Sequence, residues 1–203
     1  MKKKIFMFTL VACLVILSIA GSSLAYFTDV KDATTTFTAG NVYIDLTVTN
    51  PGENLFPGQT YTNTATIKNT GTENAYVGAI ITITGTDIGT VLSTSSDADK
   101  IPVAIQELFV GLGADGYTVK YVAETNSYKV YVVKTDAIAA NAEANLFTQI
   151  NIPAQWNNAE MKTFVDANIS VVAYAVQEEG FADAVTALKT AFANSGWENY
   201  PAN

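Results

Sequence analysis

The side chains that most often carry enzymatic chemistry are nearly absent from this 203-residue sequence: it has no histidine and one cysteine, Cys13. Without imidazole there is no Ser-His-Asp or Cys-His constellation. There is also no His-ligated metal site, the His-Glu-x-x-His zinc peptidase motif included. Cys13 lies in an apolar leader expected to be removed, which leaves neither disulfide nor thiol chemistry in the remainder. The carboxylates Asp97 and Asp99 supply oxygens of the kind Ca²⁺ takes. They sit in a polar stretch where solvation is the simpler expectation. Tyr43, Tyr61 and Trp197 could form an aromatic sugar platform, although aromatics at such places more often pack. No catalytic, cofactor-binding or metal-binding residue is assigned, and no cofactor is expected.

What the sequence does offer is backbone chemistry near its front. Residues 2–4 are Lys-Lys-Lys, Ile5 to Ala20 is apolar apart from Thr9 and Ser18, and Ser23 and Ala25 are small residues at the positions a signal peptidase reads. This is a signal-peptide pattern over residues 1–25. Signal peptidase is expected to cut between Ala25 and Tyr26. The apolar run is short for a membrane span of ~20 residues. Leu10-Val11-Ala12-Cys13 is not read as a lipoprotein box, because it lies in the middle of that run.

Residues 26–40 then form a strand and a spacer. Tyr26, Thr28 and Val30 alternate with Phe27 and Asp29; Lys31 to Thr36 is polar; Phe37 and Ala39 are apolar again before Gly40. Such a strand can pair at the edge of its own sheet. It can also be donated to a neighbouring subunit whose sheet shows an unpaired edge, by β-augmentation. Donor and slot are different surfaces, so the contact runs head-to-tail and builds a filament. In that reading Tyr26, Phe27, Thr28, Val30, Phe37 and Ala39 are the polymerisation residues.

Residues 26–203 carry 8 Lys, no Arg and 19 acidic side chains, a net charge of −11. That balance disfavours nucleic acid, whose phosphates need Lys and Arg, and anionic membrane surfaces. The expected partners are other copies of the chain, with accessory matrix proteins a further option, and no membrane once the leader is cut.

The body, residues 41–203, reads as one domain. Val42, Ile44, Leu46 and Val48 alternate with polar residues as a half-buried strand. Pro57-Gly58 fits a type II turn. Tyr61 to Lys68 and Ala75 to Ile83 are strands expected to pair as a hairpin about Asn69-Thr70-Gly71. Gly85 to Asp99 reads as a long loop, and Ile101 to Leu112 as either a short helix from Pro102 or a strand. Tyr117 to Val122 and Tyr128 to Val133 read as a second hairpin. Asp136 to Ala144 and Asn158 to Lys162 read as helical turns. Leu146 to Ile152 is a strand stopped by Pro153. Val165 to Ala175 is a long strand, central because it turns apolar on both faces. Phe181, Ala184, Val185, Leu188, Ala191 and Phe192 make a helical apolar stripe closed by Asn194-Ser195-Gly196, expected to lid one edge. The fold class is therefore mainly β: a single antiparallel β-sandwich of jelly-roll type, with a few short helices and one C-terminal amphipathic helix.

AYFTD directly behind the signal, TFTAGNVYIDL, and LFPGQTYTNTATIKNTGTENAYV occur in this order, with VVAYAVQEEGF at residues 171–181 as a weaker echo. This set resembles the TasA/CalY (camelysin) family of biofilm-matrix fibre proteins, whose precursors carry SipW-type signal peptides. The resemblance implies a jelly-roll fold, donor-strand fibres and a secreted scaffold of the extracellular matrix or cell surface. It also brings in members described as metallopeptidases, from which no catalytic residue carries over. The expected function is a structural fibre subunit, not an enzyme. The alternatives are a secreted camelysin-like peptidase and a monomeric cell-surface adhesion module.

Overall fold

A computed structural model describes residues 28–32, 35–38, 42–49, 55–93, 103–112 and 116–200. Among these, alternation of period two dictates the architecture. In β4 (Thr60–Asn69), Asn63, Ala65, Ile67 and Asn69 are buried while the intervening threonines and Lys68 face outward. In β5 (Ala75–Thr84) both faces are apolar, and nearly every residue is buried. β4 can therefore wall a sandwich with one face wet. β5 needs cover on both sides.

The larger sheet has six strands in the order β2 (Thr35–Thr38), β1 (Thr28–Asp32), β12 (Asn168–Gln177), β5, β10 (Ser127–Val133), β9 (Tyr117–Val122). The smaller has four: β3 (Ile44–Val48), β4, β11 (Glu143–Asn151), β8 (Phe109–Val110). All neighbours within both sheets are antiparallel. Two short strands, β6 (Leu92–Ser93) and β7 (Val103–Ala104), pair in parallel beside them. Ile44, Ile67, Val77, Ile81, Val130, Leu146, Phe147 and Ala173 fill the space between the sheets. Phe109 and Phe147 meet there with ring centroids 4.9 Å apart. The molecule is the β-sandwich its patterning indicates.

Several local expectations are revised. Tyr61–Lys68 and Ala75–Ile83 do not form a hairpin, because β4 and β5 belong to different sheets. The chain crosses the top of the sandwich between them, and buried Asn69 fixes that crossing. Its Nδ2 donates to the carbonyls of Glu73 (2.8 Å) and Ile138 (2.9 Å), and its Oδ1 accepts from the Gly71 N–H at 3.0 Å. A turn-forming side chain bonded to two separate segments wins over a tight hairpin. The second hairpin, β9–β10, forms as expected.

Asp136–Ala144 is not helical. Ile138 bridges Ala75, Asn141 takes φ 65°, and Glu143 and Ala144 already belong to β11. The described part of the long loop holds a 3₁₀ turn at Ile88–Thr90 that buries Ile88, and Val91 and Leu92 are buried after it. Residues 103–112 use both readings, β7 leading into α1 (Ile105–Leu108) and then β8.

The turn expected at Asn158–Lys162 is a full helix, α2 (Asn158–Val165). Asn157 and Glu160 form a capping box: Ala159 N–H donates to Asn157 Oδ1 at 2.7 Å, and Asn157 N–H to Glu160 Oε2 at 2.9 Å. Val165 consequently ends a helix and is exposed, and the long strand begins only at Asn168.

The C-terminal helix, α3 (Ala184–Ala191), is confirmed but lies over the outer face of the larger sheet rather than along an edge. Leu188, Phe192, Trp197 and Tyr200 cover Tyr76, Ile80, Tyr131, Tyr174 and Val176. This second cluster explains why β5 and β12 are apolar on both faces. Gly78 makes the close approach possible: a Cβ there would stand 2.6 Å from Trp197 and 2.7 Å from Leu188. Gly78→Val should therefore lift the cap and cost about 1–3 kcal/mol, read as a lower denaturant midpoint with loss of the Trp197 near-UV signal.

Asp183 caps α3. Its Oδ1 accepts from the Thr186 N–H at 2.8 Å and its Oδ2 from the Thr186 hydroxyl at 2.9 Å. These bonds, the backbone one first, hold its carboxyl below the usual range. A depressed folded value means the stabilisation is full above the ordinary aspartate value of about 3.9 and is lost as pH falls through the folded value. Asp183→Ala should cost about 1 kcal/mol at pH 7. Thermal melts should show the gap to the parent chain shrinking as the pH drops below 4.

Candidate functional site

The leading strand β1 stands second from one side of the larger sheet, between edge strand β2 and β12. β1 runs antiparallel to β12 in the register Thr28–Val176, Asp29–Ala175, Val30–Tyr174 and Lys31–Ala173. It then turns back to pair with β2, Asp29 opposite Thr38, Val30 opposite Phe37, Lys31 opposite Thr36 and Asp32 opposite Thr35. Thr28, Val30 and Phe37 of the proposed polymerisation set are thus brought to one sheet edge. Tyr26, Phe27 and Ala39, the cleavage residue Ala25 and the signal segment 1–25 lie outside the described residues.

The slot that receives β1 is set by β12, which lies against both hydrophobic clusters. Val171, Ala173 and Ala175 belong to the core between the sheets, and Tyr174 and Val176 to the cluster beneath the C-terminal cap. Tyr174 contacts Phe192 and Trp197 at centroid separations of 5.0 and 5.7 Å. On its far side β12 pairs with β5 over its whole length, from Asn168–Thr84 to Gln177–Ala75. Its near side meets β1 only from Ala173 to Val176, so Asn168–Ser170 extend past the end of β1.

The residues considered for sugar stacking do not form a platform. Trp197 is fully buried under the cap. Tyr61 is half-buried, its hydroxyl accepting from the Phe56 N–H at 2.7 Å. Tyr43 is exposed, but on the segment leading into β3 of the other sheet. Asp97 and Asp99 lie outside the described residues.

A feature missed in the sequence lies at the other edge of the larger sheet. Lys120 of β9 and Lys129 of β10 stand directly opposite each other. They line a groove of about 380 Å³ with Glu124, Tyr131 and Asn199. Lys120 Nζ donates to Asn199 Oδ1 at 3.0 Å. Tyr131 is completely buried, and its hydroxyl has no hydrogen-bond partner among the described residues. Burial first, and Glu198 second, push that phenol above its ordinary value, so it stays protonated. The signal was available: the two lysines are equidistant from the turn between their strands, so closing the hairpin must face them.

Among the described residues no group of three or more His, Cys, Asp and Glu side chains could hold a metal ion, and no helix is long and apolar enough to cross a membrane. The fold defines an antiparallel β-sandwich whose first two strands complete one side of its larger sheet. The chain belongs to the Peptidase_M73 family, described as camelysin metallo-endopeptidase, whose family model matches residues 1–168. That description implies a catalytic metal. Among the described residues the donor set does not fit one: the sequence has no His, and the described carboxylates do not converge. No curated protein and no solved structure matches the chain.

Proposed function

We propose that this protein is a secreted structural subunit of an extracellular matrix fibre, polymerising when its leading strand enters the slot beside β12 of the next copy. The observation that carries this reading is the place of β1. It lies near the front of the chain, between edge strand β2 and β12, paired in a defined register against a strand that packs into both clusters.

Exchange of such a strand between copies keeps every pairing and changes only the connection, which makes swapping a low-cost route to association. The same argument says what opposes it. A strand on a short tether sees its own slot at an effective concentration of roughly millimolar. Closed monomers are therefore favoured in dilute solution, and fibres form slowly and at high local concentration. Cleavage by signal peptidase after Ala25 would free the strand from the membrane and couple secretion to assembly. The net charge of −11 over residues 26–203 makes this self-association sensitive to screening cations.

The family description favours a second reading, a secreted metallopeptidase. The absence of His from the whole sequence weighs against it. The adhesion-module reading loses its strongest aromatic, since Trp197 is buried.

Negative-stain microscopy of the processed chain should show filaments. A variant lacking residues 26–38 should stay monomeric, and so should Lys31→Pro, which removes a ladder N–H and fixes φ in β1. A synthetic peptide of residues 26–38 should bind the truncated variant. Filaments from either variant would overturn the proposal. Casein turnover should be indistinguishable from buffer with and without chelator; chelator-sensitive cleavage would instead establish the peptidase.

A further inference from the structure

We propose that the groove over Lys120 and Lys129 is a binding site for a carboxylated sugar, the acidic residue of a matrix-type glycan. The site is on the hairpin edge of the larger sheet, across β12, β5 and β10 from the leading strand, so it does not depend on polymerisation.

Like charges directly opposite on neighbouring antiparallel strands repel. Among the described residues, neither Lys120 nor Lys129 forms an ion pair with a carboxylate. A lysine on an edge strand such as β9 is a common guard against edge-to-edge pairing. That accounts for Lys120. It does not account for Lys129, which lies one strand inward and is half-buried. In a chain with 8 lysines and 19 acidic residues after position 25, two ammonium groups in register, neither ion-paired among the described residues, form a local concentration of positive charge. An anion placed between them removes the repulsion and gains two charge-assisted hydrogen bonds.

The lining narrows the class of anion. The row that contains the lysines continues across the sheet through Thr82 of β5 to Ser170 of β12, by the pairings Lys120–Lys129, Lys129–Thr82 and Thr82–Ser170. This is a flat line of two cations and two hydroxyls on the part of the outer face beside the cap. Glu124 lines the groove as well. A carboxylate accepts hydrogen bonds and repels a second negative charge, so a densely charged phosphate chain is a poor occupant. Asn199 adds an amide, already oriented by its bond to Lys120. Tyr131 lines the groove as well, its ring held under the cap by Trp197 and Tyr200. A ligand that suits this set carries one negative group for the lysines and several hydroxyls to donate to Glu124 and Asn199. A sugar bearing a carboxylate has that composition. The volume of about 380 Å³ lies at the small end of the ~300–1,000 Å³ range of ligand sites.

The test titrates trigalacturonate into the processed chain and follows backbone amide shifts by NMR, with the methyl-esterified trimer and inorganic sulfate as controls. Saturable shifts are expected at Thr118–Val122, Ser127–Tyr131 and Asn199. Lys120→Gln and Lys129→Gln should each weaken binding at least tenfold. Both should keep the parent circular dichroism and melt no lower, because each relieves a repulsion. The methyl ester should not bind. No saturation at millimolar trigalacturonate, undiminished binding by the double variant, or sulfate binding as tightly as the trimer would overturn the assignment.

Discussion

The antiparallel ladder along β12 is the interaction on which the rest of the structure depends. Its side chains alternate between two separate clusters, Ala173 and Ala175 facing one sheet and Tyr174 and Val176 facing the cap. On one side it is held by ten register pairs to β5; on the other it takes β1. A strand buried on both faces cannot leave either edge bare without exposing backbone N–H and C=O groups beside apolar side chains. The edge next to Ala173–Val176 must therefore be filled, and the strand that fills it comes from the front of the chain. Whether the filler comes from the same copy or from its neighbour is a matter of tether and concentration, since the contacts are the same.

The C-terminal cap follows from the same constraint. The sandwich core uses one face of the larger sheet, and the apolar residues on the other face, Tyr76, Ile80, Tyr131 and Tyr174, require a cover of their own. α3, Trp197 and Tyr200 supply it, pressed against Gly78 because no side chain stands in the way. The cap stops short of the row through Lys129, Thr82 and Ser170. That row is accordingly polar, and it is there that the lysine groove opens. One sheet thus carries the leading strand beside β12 and, on its outer face, a polar row beside the cap.

Much of the architecture was legible in the sequence because period-two alternation is a strong signal: β4, β5, β9, β10, β11 and β12 all lie close to where their patterns place them. The errors arose where non-local bonds decide. Asn69-Thr70-Gly71 looks like a hairpin turn, yet the Asn69 amide bonds to Ile138, 69 residues away, and the chain changes sheets instead. Ala-rich Asp136–Ala144 has helical composition, yet Ile138 is claimed by Ala75. The capping box at Asn157 and Glu160 was readable and would have lengthened α2 at once. The stripe from Phe181 to Phe192 identified the helix but not its seat, because Gly78, which admits it, is remote in sequence. The candidate assembly strand was legible in type and place, but a single sequence does not say which copy's β12 it joins. The facing lysines were readable from their equal distance to the turn.

The central claim is that β12 of one copy receives the leading strand of another. It is tested most directly by growing fibres from an equal mixture of ¹⁴N- and ¹⁵N-labelled subunits that carry a photo-crosslinking side chain in place of Val30, which lies opposite Tyr174. After illumination, mass spectrometry reads which isotopes are joined in peptides that link the leading strand to β12. The account predicts that about half of these linked peptides from fibres are mixed-label, and that those from dilute monomer are all same-label. Same-label links alone in well-formed fibres would show the strand closed on its own chain and contradict it.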